Sequence, residues 1–372
     1  MKIPRLETLD VLRGFALLGI FITHLFSVVL YEHEGYPPKV NAMINITYLN
    51  LLSNKFFTIF SFLFGLSFHI QFQNSLGRRS NFVQPYIWRL AILFVIGSLH
   101  FLFYVGDILQ AYALLGLLLL SSRNLKEKTL LLLSLLFFLL SIVIPALGIT
   151  RDFDIETSIL TRIFNAKIVD KYNWYLFTDG RLYVIATFFY LGFYVGKINY
   201  FLDVKLRDLK RLLLISITLA TISTGVLATI YLTGARRNPE LSNIDLFITI
   251  ATRFQQISLT FTYIAIIVML HKFSSQRFLN FLIPIGKMGL TFYILQSLYI
   301  YMIHDWLAAN GLLWALTVGI GSFILLSPIC AIWMSKFKSG PLEWIWKKST
   351  DVAVKVTAIK QESGPQKVEP LS

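Results

Sequence analysis

The chain has 372 residues, of which 56% are hydrophobic and 15% are charged, and its net charge at pH 7 is +14. Several uninterrupted apolar stretches of about twenty residues exclude a soluble globular protein and indicate a polytopic membrane protein. The positive charge gathers between the apolar stretches, as cytoplasmic loops require, so no nucleic-acid partner is predicted. The single cysteine, Cys330, excludes an internal disulfide and a cysteine-based metal cluster.

Hydropathy predicts an all-α bundle of about ten membrane-spanning helices. In chain order the predicted spans are 11–30, 56–72, 86–105, 108–121, 129–148, 182–198, 212–233, 246–270, 285–303 and 312–334. The short connection between the third and fourth spans predicts a hairpin. The polar segment 149–180 could either cap a cavity or form a solvated loop. Residues 1–349 are predicted to form one bundle, and residues 350–372 a disordered cytoplasmic tail.

Lys and Arg concentrate in the connecting segments on the side of the N-terminus. By the positive-inside rule, this distribution predicts that both termini lie in the cytoplasm. The expected location is the bacterial inner membrane, as a multi-pass protein surrounded by the lipid bilayer. The oligomeric state is not predicted.

Ionisable residues inside the predicted spans are the candidate functional groups, because such residues usually face a bundle interior or a wet cavity. At the inner end of the first span, Asp10 and Arg13 lie on one helix face and could pair. His24 lies about 16 Å farther along the same helix, in its outer half. Histidine is the commonest general base. A lone histidine can equally well be a hydrogen-bonding group between helices.

Further polar residues fall in the outer half of the membrane under this topology, which permits one outward-facing pocket. They are His100, Asp107, Gln110, Tyr112, Gln296, His304 and Asp305. On the inner side, Arg13 and Arg89 either anchor the bundle at the membrane surface or bind the phosphates of an acyl-coenzyme A. The His residues are too scattered to predict a metal site. The sequence contains no Walker-type phosphate loop.

Five segments carry a resemblance to a known family: LDVLRGFALLGI, FFTIFSFLFGLSFHIQ, GDILQAYALLGLLLL, GKMGLTFYILQSL and GPLEWIWK. They resemble the YeiB-like membrane proteins, whose domain of unknown function 418 corresponds to about residues 180–349 here. The segment LDVLRGFALLGIFITH is also similar, more distantly, to the first helix of the type 3 membrane acyltransferases. In that helix a histidine follows the arginine at the spacing of Arg13 and His24. The heparan-glucosaminide acetyltransferases belong to the same broad group, and move acetyl from cytoplasmic acetyl-coenzyme A to a sugar on the far side.

The resemblance implies a membrane acyltransferase with acyl-coenzyme A as donor substrate, a glycan or another hydroxyl or amine as acceptor, and no metal. By this resemblance His24 is the expected catalytic base and Arg13 part of the donor site. In a mechanism consistent with it, Asp107 or Asp305 orients the histidine. The donor site then comprises Arg13, Asp10 and Arg89, and the acceptor pocket His100, Gln110, Tyr112, Gln296 and His304.

Two other functions stay open. A secondary transporter would use His24, Asp107 and Gln296 as a substrate or proton site near the midplane. It is disfavoured here because the sequence gives no clear sign of a repeat or a broken helix. A non-catalytic membrane scaffold is the third hypothesis.

Overall fold

The structure, a computed structural model, describes residues 6–32, 46–77, 81–147, 166–233, 244–273 and 278–362. These residues form helices and short helical turns, with no strand among them, which confirms the predicted all-α bundle. The helices are α1 (Glu7–Glu32), α2 (Phe56–Gly77), α3 (Val83–Phe101), α4 (Leu109–Ser121), α5 (Glu127–Ala146), α6 (Ala166–Asn173), α7 (Arg181–Lys197), α8 (Tyr200–Asp203), α9 (Leu206–Leu232), α10 (Ile244–Phe273), α11 (Leu282–Lys287), α12 (Gly289–Met302), α13 (His304–Asn310), α14 (Leu312–Lys336) and α15 (Pro341–Glu362).

Within the described ranges, seven helical segments are long and apolar enough to cross a membrane. They are Glu7–Val29, Tyr48–Gly77, Val83–Phe101, Glu127–Ala146, Leu206–Leu232, Ile244–Phe273 and Leu313–Lys336. The bent pair α11 and α12 would be an eighth. The protein is therefore a multi-pass membrane protein. The span count of about ten and the cytoplasmic termini stay predictions.

Helix α1 is the centre of the bundle and contacts α2, α10, α11, α12, α13 and α14. It is apolar around most of its circumference, as expected for a helix enclosed by others. Two glycines allow its close approach to α11. A Cβ atom on Gly14 would overlap the backbone of Leu282, and one on Gly286 would overlap the backbone of Asp10. The first helix is thus held by backbone contact at its N-terminal end.

Helices α3 and α4 pack together through the turn 102–108, which confirms the predicted hairpin. Their arrangement defines two ends of the bundle. The arginine end holds Arg13 and Arg89, near the start of α1 and α3. The histidine end holds His24 and His100, toward the end of the same two helices.

Helices α11 and α12 meet at an angle of 90°. The predicted continuous span 285–303 is therefore wrong, as is the expectation that no helix is broken. The bend falls at Met288, whose backbone angles (φ −104°, ψ 32°) are not helical. Gly286 contacts the backbone of the first helix, so α11 packs against α1 before the chain turns into α12.

The chain stays helical well beyond the last apolar segment. Helix α15 continues through Thr350 to Glu362, so the prediction of disorder was wrong for residues 350–362, whereas residues 363–372 lie outside the described ranges. Pro341 is the first residue of this helix. Proline suits that position because the backbone N–H that it lacks would have no hydrogen-bond partner in the first turn. Thr350 is 2% exposed, so this helix is packed against the bundle.

Candidate functional site

A cavity of about 250 Å³ lies between helices α1 to α4, the α11–α12 bend and α15. Its arginine end is polar and is lined by Arg13, Arg89, Gln71, Lys287 and Glu343. Its middle is lined by Phe and Leu side chains of α2 and α3. The volume lies just below the range of about 300–1,000 Å³ for small-molecule pockets. The cavity therefore suits a slender apolar chain more than a bulky polar ligand.

At the arginine end, the pairing of Asp10 with Arg13 is confirmed. Arg13 Nη1 donates to Asp10 Oδ1 at 2.8 Å, and Arg13 Nη2 donates to Ser67 Oγ at 2.6 Å. Arg89 Nη1 donates to Gln71 Oε1 at 2.5 Å. Asp10 is buried and does not line the cavity. Arg13 and Arg89 both line it. Asp10 therefore holds Arg13 in position without facing the cavity itself.

Glu343 of α15 binds the start of α12. Its Oε1 accepts hydrogen bonds from Leu290 N at 2.6 Å and Thr291 N at 3.0 Å, and its Oε2 accepts one from Thr291 Oγ1 at 2.6 Å. A carboxylate is stabilised there because the first amides of a helix have no partner within the helix. Trp346 Nε1 also donates to the carbonyl of Arg89 at 2.9 Å. Through these contacts α15 forms part of the rim of the cavity.

At the histidine end, the α3–α4 hairpin creates an imidazole–carboxylate pair. His100 Nδ1 and Asp107 Oδ1 are 2.8 Å apart, and Gln110 N donates to Asp107 Oδ2 at 3.2 Å. His100 is 4% exposed and Asp107 is 0% exposed. Nε2 of His100 is buried and makes no hydrogen bond within the described part of the chain. With Nδ1 donating to the carboxylate, Nε2 is left as a proton acceptor.

His24 lies beside this pair but does not bond to it. The His24 ring centroid is 4.7 Å from that of Tyr104 and 6.3 Å from that of Tyr293. The corresponding distances from His100 are 5.8 and 5.2 Å. The two imidazoles thus share two tyrosine neighbours. The expectation that Asp107 orients His24 was wrong, because the carboxylate is bonded to His100.

A buried lysine completes the histidine end. Lys171 Nζ donates to Gln110 Oε1 at 2.9 Å and lies 4.7 Å from the ring centroid of Phe101. Burial lowers the pKa of Lys171 to about 8, against the opposing pull of Asp107. Tyr175 OH donates to the carbonyl of Asp107 at 3.2 Å. The segment 166–178 thus covers the hairpin but does not line the cavity, so the capping alternative stays a prediction, and residues 148–165 lie outside the described ranges.

The other predicted pocket residues are divided among different places. Tyr112 OH bonds to Ser61 and to the carbonyl of Phe57, and its side chain lines the cavity. Gln296 is buried, and its amide makes no hydrogen bond within the described ranges. His304 and Asp305 pair with each other at 3.1 Å on the surface. Asp305 is fully exposed there, so the expectation that it orients His24 was wrong.

Tyr293 separates the cavity from the imidazoles. It lines the cavity, and its ring also contacts both His24 and His100. Sequence reasoning missed Tyr293, Lys171 and Glu343. Tyr293 precedes Gln296 by one helical turn, and this spacing was the available signal. Over the described residues, no group of three or more His, Cys, Asp or Glu is arranged to hold a metal ion.

A cavity between membrane-crossing helices, with a buried imidazole–carboxylate pair beyond its end wall, is an arrangement suited to group transfer. Residues 5–177 match the family model described as heparan-alpha-glucosaminide N-acetyltransferase, catalytic. This part of the chain is accordingly membrane acyltransferase-like. Residues 195–353 match the model described as protein of unknown function (DUF418). The C-terminal part of the chain is therefore similar to the proteins that carry this domain.

The chain is also similar to uncharacterized bacterial proteins. The chain is 26% identical to uncharacterized protein YxaH of Bacillus subtilis, over 93% of this chain and 94% of the relative. It is 25% identical, with the same coverage of both chains, to an uncharacterized 39.9 kDa protein in the amylase 3' region of Bacillus acidopullulyticus. It is 34% identical to uncharacterized protein YeiB of Escherichia coli over 30% of this chain and 29% of the relative. No solved structure matches the chain.

Proposed function

We propose that the protein is an integral-membrane acyltransferase. It moves an acyl group from acyl-coenzyme A, bound at the arginine end, to a hydroxyl or amine of an acceptor at the histidine end. One observation carries the proposal: the part that matches an acetyltransferase catalytic model, residues 5–177, contains the buried His100–Asp107 pair. The arginine end faces the cytoplasm of a bacterial cell, and the membrane is the inner membrane.

The cavity suits the donor's shape. Its apolar middle takes the acyl chain and the slender arm that carries the thioester, whereas the nucleotide stays at the arginine end. There Arg13, Arg89 and Lys287 line the cavity and supply cationic donors for the phosphates. A donor entering this way meets Tyr293 before it meets His100, so transfer requires the Tyr293 side chain to move aside.

The transfer step uses the free nitrogen of His100. Nε2 takes the proton of the acceptor while the acceptor oxygen or nitrogen attacks the thioester carbonyl carbon. The carbon–sulfur bond breaks, and the imidazolium returns the proton to the departing thiolate. Asp107 holds the imidazole in the required tautomer and stabilises its charged form. A positioned general base contributes about 10²- to 10⁴-fold in rate. His24, which shares the tyrosine neighbours, orients the acceptor.

The test uses full-length protein in lipid nanodiscs with radiolabelled acetyl-coenzyme A and a panel of glycans, alcohols and amines. The expected result is a labelled covalent product that disappears with His100→Ala and falls strongly with His24→Ala. If folded protein binds coenzyme A but neither transfers label nor releases free thiol with any acceptor, the proposal is wrong.

A secondary transporter is the second candidate, and the 90° break between α11 and α12 favours it. Transporters bind substrates at interrupted helices near the middle of the membrane. The break contributes Gly286, Lys287 and Gly289 to the cavity wall. Uptake of a labelled solute into proteoliposomes without any covalent product would support transport over transfer.

A further inference from the structure

Helix α15 differs from the membrane-crossing helices. Four residues, 337–340, separate its start at Pro341 from the end of α14 at Lys336, and α14 includes one of the candidate membrane spans. Four extended residues reach at most about 14 Å. Helix α15 therefore starts at a membrane boundary, and it is absent from the apolar membrane-crossing segments found among the described residues.

One side of α15 is fixed to the protein. Glu343, Trp346 and Thr350 follow each other at intervals of three and four residues and so share a face. Glu343 and Trp346 bond to α12 and α3, and Thr350 is buried. The orientation of α15 about its own axis is thereby set, because three side chains on one face have partners in the bundle or are enclosed by it.

The opposite side is exposed and mixes apolar with basic side chains. Trp344, Ile345 and Val352 are exposed large hydrophobic residues, and Lys348 and Lys355 lie exposed among them. The ammonium of Lys348 is 4.7 Å from the centroid of the Trp344 ring. Aromatic and aliphatic residues beside lysines are typical of helices that lie in the membrane interface. Each basic residue near an anionic surface contributes about 1 kcal/mol of attraction.

We propose that α15 is a membrane-surface helix whose exposed face, formed by Trp344, Ile345, Lys348, Val352 and Lys355, binds the headgroups of anionic lipids. Two observations indicate anionic lipid as the partner. The short connection to α14 places the helix at the bilayer boundary, and the lysines complement a negative lipid surface. The opposite face forms the cavity rim, so the lipid contact holds the rim in place. This inference does not depend on acyl transfer and holds equally for a transporter.

The experiment measures which lipids surround α15 in the intact protein. In a Cys330→Ser background, which removes the sole cysteine, Ile345→Cys carries a fluorophore in nanodiscs of mixed phosphatidylglycerol and phosphatidylcholine. A quencher is attached to the headgroup of one lipid or the other. We expect stronger quenching by phosphatidylglycerol than by phosphatidylcholine. Asn310→Cys, labelled at the exposed end of α13, is the control position, and the quenching there is expected to be similar for both lipids because no Lys or Arg occurs in residues 302–335.

The second part of the experiment removes positive charge from the exposed face of α15. The double variant Lys348→Gln and Lys355→Gln should lower the phosphatidylglycerol enrichment at residue 345 by about fivefold for each lysine, equivalent to about 1 kcal/mol per charge. The matched control removes two exposed lysines at the same end of the bundle, Lys126→Gln and Lys128→Gln, and should change the enrichment little. Equal quenching by both lipids at residue 345, or equal effects of the two double variants, would overturn the proposal.

Discussion

Replacing Asp107 by Asn should abolish most transfer activity while leaving the hairpin folded. The carboxylate accepts a hydrogen bond from His100 at 2.8 Å and one from Gln110 N at 3.2 Å. An asparagine oxygen keeps one of these bonds, whereas its amide donates to the imidazole. Donation to Nδ1 moves the proton of His100 to Nε2, which can then no longer take a proton from the acceptor.

The expected loss is about 10²- to 10⁴-fold in kcat, the contribution of a positioned general base. It corresponds to about 3–5 kcal/mol of barrier height, at about 1.36 kcal/mol for each factor of ten. The KM for the donor should stay unchanged, because Asp107 does not line the cavity. Single-turnover transfer of labelled acyl groups in nanodiscs measures the rate. His100→Ala should show a similar loss, and the double variant should add little, since the two residues act as a unit.

The chain supplies a matched control at its surface. Asp305 pairs with His304 at 3.1 Å, but this pair is exposed. Asp305→Asn makes the same chemical change in the same kind of pair and should leave kcat within about twofold. If Asp107→Asn retains full kcat, or if Asp305→Asn loses as much, the role given to the buried pair is refuted.

Three further outcomes follow from the cavity and its surroundings. Arg89→Gln should raise the Kd for coenzyme A about ten- to a hundredfold, because a charged hydrogen bond to phosphate contributes about 1.5–3 kcal/mol. Calorimetry measures this Kd, and an equal rise with Arg123→Gln would contradict the prediction. Glu343→Gln should lower the free energy of unfolding by about 2–4 kcal/mol, because it weakens the charged hydrogen bonds to the start of α12 and the interaction with the helix end. SDS titration measures this change. An unchanged unfolding midpoint, or an equal loss with Asp351→Asn, would contradict the role given to Glu343 in packing α15 against the bundle. The pKa of Lys171 is about 8 in the folded protein and about 10.4 in the unfolded chain. Between these pH values only the unfolded chain holds the proton, so the contribution of Lys171 to the free energy of unfolding rises with pH. Lys171→Met should flatten that rise in the unfolding midpoint, and an identical slope would rule out this linkage.

The sequence predicts the local features of the fold well. The α3–α4 hairpin follows from two apolar runs joined by a short polar turn. The pair of Asp10 and Arg13 follows from their spacing on one helix. In each case the partners are neighbours along the chain, so helix geometry alone brings them together.

Contacts between distant segments were beyond such reasoning. The partner of Asp107 depends on the direction of each ring across the hairpin, and depth in the membrane does not fix this. The bend at Met288 was not predicted because hydropathy does not register the close backbone contact between Gly286 and the distant helix α1. The prediction of disorder from residue 350 onward missed the second half of α15, because its polar side chains lower the hydropathy, yet Pro341 and Glu343 are a recognisable helix start.

The position of Tyr293 bears on how the membrane stays sealed. Its side chain lines the cavity, and its ring lies against both imidazoles, which do not line the cavity. A permanent water-filled passage through the bundle would let protons leak and would dissipate the cell's electrochemical gradient. A ring that yields only while a donor occupies the cavity would let chemistry cross the bilayer and still keep the bilayer an insulator.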